Sequence, residues 1–445
     1  MIIRYLYIFF LSLLPISVLP QMQVNWQQCY CGMESDLAVD VAQSGDEFLV
    51  LGRVRAAPPG GQVSCTNDDA TWLLKIDNMG NIIWQKCIFH FGGHRMQKAI
   101  GSDFYYISGA TISEPYPDAF NLYLGKLDSA GSIIWERSLG NDIGISDYHF
   151  YCASTNDGGV VATVDIFSQG GDITNWYGGY DGWAIKLDSL GNTDWDFTLG
   201  SQRPEGAIGI VQTSDNGFLV LGSGSPDGIT GNISSPSYSY SYSDAIIYKL
   251  DSLGNPIWNK TYGGSYNEIA ARAVVLEDGY LIFGGASSDD GYCEGSGWHE
   301  GYYQTGDRTV DIWLIRTDLE GEIIWQKCYG GSQSEGISRI FSTSDGGFVV
   351  FGSTHSFDGD VVGNPSNSSA KSSIWIFKIN SIGDLIWQQC IGGFANEDVN
   401  GVIQHSDNNY TLAGEMTYSP SFDVNCSKFL VRYSIFSFSV AAPPH

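Results

Sequence analysis

Five glutamates, Glu34, Glu205, Glu268, Glu335 and Glu397, each follow a Gly-Gly or its equivalent by a few residues. Arg272 and Arg339 stand four residues beyond two of them. A ring of carboxylates could hold a cation, grip a polar ligand, or supply the acid and base of a hydrolase or lyase. The same spacing also fits a local role, each Glu capping backbone or pairing with an Arg. A second oxygen-rich feature is Asp358-Gly-Asp-Val-Val-Gly-Asn364, echoed at Asp227-Gly-Ile-Thr-Gly-Asn232 and more loosely at Gly171-Asp-Ile-Thr-Asn175. Asp358, Asp360 and Asp227 are candidate calcium ligands, since glycine-rich loops with several oxygens suit that ion. The spacing is not that of an EF-hand, and Ile229 replaces Asp360 in the echo, so a structural turn is the plainer alternative. No other cofactor is indicated.

Two long segments put aromatic side chains beside polar ones. One is residues 234–244, with a Ser/Tyr alternation; the other is residues 289–308, with Tyr292, Trp298, His299, Tyr302 and Tyr303. Trp298 and Tyr302 are candidates for stacking on a sugar or grasping a protein. No Gly-x-Ser-x-Gly, phosphate-cradling loop or His/Cys metal cluster occurs, and the seven histidines are scattered.

These residues are positioned by a repeat. Trp84, Trp135, Trp195, Trp258, Trp325 and Trp387 each follow a turn such as Asp77-Asn-Met-Gly80 or Asp188-Ser-Leu-Gly191, and Trp26 begins the series without one. Between them lie an Asp-Gly turn (Thr343-Ser-Asp-Gly-Gly347), an apolar strand (Phe348–Gly352), a loop of uneven length, and a third strand (Ile374–Lys378). Short strands with such punctuation and no helical pattern predict an antiparallel all-β fold. Four strands repeated along the chain predict a seven-bladed β-propeller of four-stranded antiparallel blades. Its ring is expected to be closed by the N-terminal strand, residues 24–30, completing the last blade alongside residues 428–434. The strands alternate direction, so the uneven loops and the Gly-Gly segments share one face. That face is the expected binding side.

Transferring the register of the sixth tryptophan hairpin to this mixed blade places Cys31 opposite Cys426, and a disulfide is expected there. Cys29, Cys87, Cys328 and Cys390 share the position three after the tryptophan and are expected to be buried thiols. The tryptophans themselves are expected to be inter-blade core.

Residues 1–20 read as a cleaved secretory signal, with Arg4 ahead of an apolar run, which predicts a secreted, extracellular or cell-surface protein. One propeller domain is expected over residues 21–436, with a tail at 437–445. No other stretch is apolar enough to span a bilayer. The net charge of -27 excludes a phosphate-binding nucleic-acid partner. A glycan or protein ligand and a monomeric state are expected.

The run Ile-Ile-Trp-x-Lys-x-Tyr-Gly-Gly-Ser, Thr-Ser-Asp-Gly-Gly-Phe, Asp-Gly-Asp-Val and Ile-Trp-x-x-Lys-x-Asp/Asn resembles the tandem propeller repeats of secreted Bacteroidetes-type surface proteins, many of them linked to type IX secretion. The resemblance implies an extracellular or cell-surface binding role. Residues 249–258 are also similar to the tryptophan-docking repeat of quinoprotein dehydrogenases, whose quinone platform has no counterpart in an adjacent cysteine pair here. The expected function is a binding or scaffold module acting through the long-loop face, more than an enzyme. The alternative is a propeller hydrolase or lyase with carboxylates at the channel mouth.

Overall fold

The Asp-x-x-Gly turns fold as local closed units. Asp77 accepts the amides of Met79 and Asn81 through Oδ1, at 2.9 and 2.8 Å, and Gly80 takes φ +82°. Asp188 does the same for Leu190 and Asn192, and Asp251 for Leu253 and Asn255. A side chain at that glycine would strain a left-handed backbone, so the turn fixes both its residue types.

A computed structural model describes residues 23–24, 30, 36–54, 65, 70–88, 91–113, 116–140, 150–239, 241–303, 306–366, 368–393, 396–405, 409–417 and 436–439. Within them the fold is an all-β propeller of four-stranded antiparallel sheets, with one 3-10 turn at Gly291–Cys293. Six blades are built from consecutive strands. In the fifth, for example, the order from the axis outward is Glu268–Leu276, Gly279–Ala286, Asp311–Thr317 and Ile323–Tyr329. The first blade starts at Asp36–Ser44, the second at Phe91–Lys98, the third at Tyr151–Ser154, the fourth at Glu205–Gln212 and the sixth at Glu335–Ser342.

The expected count of seven blades, the last a composite, is corrected to six blades built from consecutive strands. The remaining four-stranded sheet is a composite of Asn396–Gln404, Asn409–Thr417, Phe436–Ser439 and Gln23–Val24. It lies between the sixth and first blades: Val399, Tyr410 and Leu412 pack with Val349 and Phe351, and Asn400 Nδ2 donates to Ala38 O at 2.9 Å. Its outer strands differ from expectation. Gln23 and Val24 pair with Ser439 and Phe438, so the third strand falls after residues 428–434 and enters the expected tail. Residues 25–29 and 428–434, like Glu34 and the expected Cys31–Cys426 bond, lie outside the described residues. The shift follows from sequence: Phe436-Ser-Phe-Ser439 alternates in step with Leu412 and Tyr410, its partners across the ladder.

The blades meet through two tryptophan columns. Trp72, Trp183, Trp313 and Trp375, on third strands, are fully buried, and each Nε1 donates to a side chain on the neighbouring outer strand. The repeat tryptophans lie on the outer strands, where they cover the turn glycine of the next blade. Trp135 Nε1 donates to Ser189 O and Trp325 Nε1 to Ser381 O, at 3.1 and 3.2 Å. They are inter-blade packing, as expected. A Cβ at Gly254 would lie 2.7 Å from Trp195 on a backbone with φ +82°. Gly254→Ala is therefore expected to destabilise the fold by about 2 kcal/mol, combining backbone strain with overpacking. Urea melts would check this, and an unchanged midpoint would contradict the packing.

One cysteine expectation needs correction. Cys87 is bonded to Cys65, with a Cα–Cα distance of 5.6 Å. Its partner comes from the uneven loop, so it is not drawn from the column itself. Cys328 is a buried thiol as expected, donating to Ser296 Oγ at 3.3 Å, and Cys390 is a half-buried one.

Candidate functional site

Glu205, Glu268 and Glu335 each open the innermost strand of a blade and are buried. Each reaches back four residues to the Gly-Gly segment. Glu205 accepts the amide and hydroxyl of Ser201, both at 2.7 Å. Glu268 accepts Gly264 N at 2.8 Å and Ser287 N at 3.2 Å. Glu335 accepts Gly331 N at 3.2 Å and the Thr354 hydroxyl at 2.7 Å. Glu397 is buried at the corresponding place, its amide donating to Ser372 O at 3.1 Å. The glutamates thus tie the loop face together from inside and do not form an open ring.

Glu205, Glu268 and Glu335 each have a buried aspartate neighbour that the sequence did not single out. Asp181, Asp244 and Asp311 open third strands at the same level. A Cβ on Gly330 would meet Glu335 Oε2 at 2.3 Å and Asp311 Oδ1 at 2.7 Å, so two carboxyl oxygens converge on one glycine. Asp181 Oδ1 and Asp244 Oδ1 crowd Gly200 and Gly263 in the same manner, at 2.3 Å. Burial raises all of these groups, and the neighbouring aspartate adds to it at the three glutamates. Asp181, Glu205, Asp244 and Glu268 are pushed up to about 7, and Glu335 to about 8. Asp311 is raised too, though its Oδ2 accepts His299 N and faces His299 Nδ1, both at 2.9 Å. The hydrogen bond to Asp311 in turn raises His299.

The candidate calcium ligands bond within their own loop or to the neighbouring Gly-Gly segment. Asp227 accepts the amides of Ile229 and Thr230 and the Thr230 hydroxyl, at 2.8–2.9 Å. Asp358 accepts Ser332 N at 2.8 Å, while Asp360 faces Gly330 N at 3.4 Å and His299 Nε2 at 3.9 Å. Among the described residues no group of three His, Cys, Asp or Glu side chains is arranged to hold a metal ion. No helix among them is long and apolar enough to cross a membrane.

Trp298 is also turned inward. It packs against the fifth-blade core, donates Nε1 to Thr309 O at 3.3 Å, and stacks on Arg308, whose guanidinium carbon is 4.5 Å from the ring centroid. Tyr302 stays exposed, as do Tyr303 and Tyr292. Equivalent loops of the third, fourth and sixth blades expose Trp176, Tyr180, Tyr238 and Phe357. Four successive blades therefore present aromatic rings on one face.

Arg272 and Arg339 part company with their glutamates and turn to partners on other blades. Asp40 accepts Arg95 Nη1 at 3.4 Å and Arg339 Nη2 at 3.4 Å. Arg339 and Arg272 both donate to Ser338 O. The guanidinium carbons of Arg95 and Arg272 each lie 5.2 Å from the Tyr151 ring centroid. Arg95, Asp40 and Tyr151 were not anticipated. The signal was present in the spacing: Asp40, Arg95, Arg272 and Arg339 are all the fifth residue of an innermost strand, and all follow its bulge.

No protein-family model matches the chain, and no curated protein sequence matches it. Solved structures similar to it include the β-propeller domain of the Trilobed protease from Pyrococcus furiosus, at 9% identity over 93% of this chain and 100% of that one, TM-score 0.42. Another is the polysaccharide lyase Uly1, at 7% identity over 91% and 90%, TM-score 0.49. A third is the α-L-arabinanase of Penicillium chrysogenum, at 10% identity over 78% and 93%, TM-score 0.44.

Proposed function

We propose that this protein is a binding module that holds a glycan against its long-loop face. The observation that supports this most is the run of solvent-facing aromatics on the second-to-third-strand loops of four consecutive blades. Tyr238 is 57% exposed, Tyr302 51%, Phe357 47% and Trp176 40%. Rings left in water on a rigid scaffold suit stacking on the apolar faces of sugars, with nearby Glu300 and Asn175 to take hydroxyls. The hydrolase or lyase alternative needs carboxylates open to the channel mouth, whereas Glu205, Glu268 and Glu335 are enclosed and bonded to backbone. Secretion and a place at the cell surface are part of the same proposal, on the strength of the apolar segment after Arg4.

A glycan array probed with the full chain is the direct test. Trp176→Ala and Tyr302→Ala are each expected to weaken a retained glycan about tenfold, the loss of one aromatic stack. An array with no retained glycan, or both variants binding as the native protein does, would overturn the proposal.

A further inference from the structure

The channel arginines link several blades, and some of their contacts join blades that are not neighbours. Arg95, from the second blade, reaches Asp40 in the first and lies within 3.5 Å of Asn400 O in the composite sheet. Arg339, from the sixth, reaches Asp40 over the composite sheet. Arg272, from the fifth, shares the Tyr151 ring of the third blade with Arg95. The contacts of Arg95 with Asn400, Arg339 with Asp40 and Arg272 with Tyr151 each pass over an intervening blade and run through the channel. Two guanidiniums share the Asp40 carboxylate and a third lies against the Tyr151 ring beside Arg95, a local excess of positive charge inside a chain whose net charge is -27.

Like charges gathered in a partly dry space repel, and a π face offsets only part of that. Arg95 is buried, and its guanidinium is held below its usual range, first by burial and then by Arg339. Asp40 is already shared between two arginines and also accepts Val41 N at 3.0 Å and Met96 N at 3.2 Å. Arg272 Nε is buried and has no hydrogen-bond partner among the described residues. Arg339 keeps 17% of its side chain in solvent, so the group can be reached along the channel. Arg272 thus keeps an unused donor on a planar fork, the group that receives a carboxylate or sulfate.

We propose that Arg272, Arg339 and Arg95 constitute an anion site in the central channel, taking a small oxyanion such as a carboxylate or sulfate group. The site is separate from the aromatic loop face and does not depend on it. The ligand is either a free oxyanion or the acidic group of a sugar.

The test is calorimetric titration and thermal melting of the full chain with sodium sulfate, sodium glucuronate and glucose, at ionic strength matched by chloride. Sulfate and glucuronate are expected to bind saturably and raise the melting temperature, while glucose does neither. Arg272→Met is expected to weaken both anions at least tenfold, and Arg339→Lys, which keeps charge but loses the fork, to weaken them similarly. Lys260→Met, on the outer surface, is expected to leave them unchanged. Equal affinity assigns the site to free oxyanions, and tighter glucuronate assigns it to an acidic sugar. Absence of saturable binding by either anion, or native affinity in both arginine variants, would overturn the site. Retention of neutral glycans by Arg272→Met keeps this outcome distinct from that of the loop face.

Discussion

The melting temperature is expected to rise on mild acidification, standing roughly 5 °C higher at pH 5 than at pH 8. Asp181, Glu205, Asp244 and Glu268 lie at about 7 and Glu335 at about 8 in the folded chain, from ordinary values of 3.8 for Asp and 4.5 for Glu. Between those limits the folded chain holds protons that the unfolded chain has released. Folding is then linked to proton uptake, so the stability these groups contribute is complete below pH 4 and is lost as pH rises through 7 and 8. A tenfold gain in the proton affinity of one carboxyl on folding is worth about 1.4 kcal/mol, and five carboxyls act together. His299, raised by Asp311, works in the same direction. Asp215 and Asp345 oppose it, being held down to about 2 with Lys249 and Lys378 bonded to them. Their contribution is present above pH 4 and fails only below it. Greatest stability is therefore expected near pH 5. Melting curves from pH 4 to 9 would check this, and a curve that is flat or climbs toward pH 8 would refute it. General repulsion among surface carboxylates also eases on acidification, but salt screens it. The buried contribution should persist in 0.5 M salt. Glu335→Gln, which fixes the neutral form, is expected to match the native protein at pH 5 and to exceed it at pH 8.

Why such groups could be seen only in part from sequence follows from their geometry. The four-residue interval from Ser201 to Glu205, Gly264 to Glu268 and Gly331 to Glu335 is a local hydrogen bond, and local bonds leave a spacing behind. Their partners Asp181, Asp244 and Asp311 come from another strand, and nothing in a linear pattern ties them to the glutamates. The turns and tryptophans were legible for the same reason in reverse, since a left-handed glycine under an indole constrains both residues at Gly131, Gly191, Gly254, Gly321 and Gly383. Cys65 sits in a loop of uneven length, so its bond to Cys87 carried no fixed spacing. The last sheet was placed by borrowing a register, and the borrowed register was displaced by several residues because its strands come from both ends of the chain. Trp298 was read as a ligand platform from composition alone. Arg308, which stacks on it and is bonded to Asp289, makes it part of the loop's own packing.

Asp40→Asn is expected to cost about 3–5 kcal/mol, the largest effect of any single substitution in the channel. The reasoning starts from what the carboxylate holds: two backbone amides, from its own blade and the next, and two guanidiniums from the second and sixth blades. With 2% of its surface exposed, water cannot replace any of these partners. An amide of the same size keeps one acceptor, but it removes the only negative charge among the contacts described for the three arginines. Removing one member of a buried ion group strands the others, and that penalty exceeds whatever the intact group contributes. Adding Arg95→Met and Arg339→Met to Asp40→Asn should therefore recover most of the loss, since the stranded charges go too. Urea unfolding of the three chains would measure both steps. A single variant within about 1 kcal/mol of native, or a triple variant no better than the single, would show that the channel charges are not coupled through Asp40. The same logic reaches the anion site. Sulfate entering the channel supplies the charge that Asn cannot, so it should stabilise Asp40→Asn by a larger margin than it stabilises the native chain.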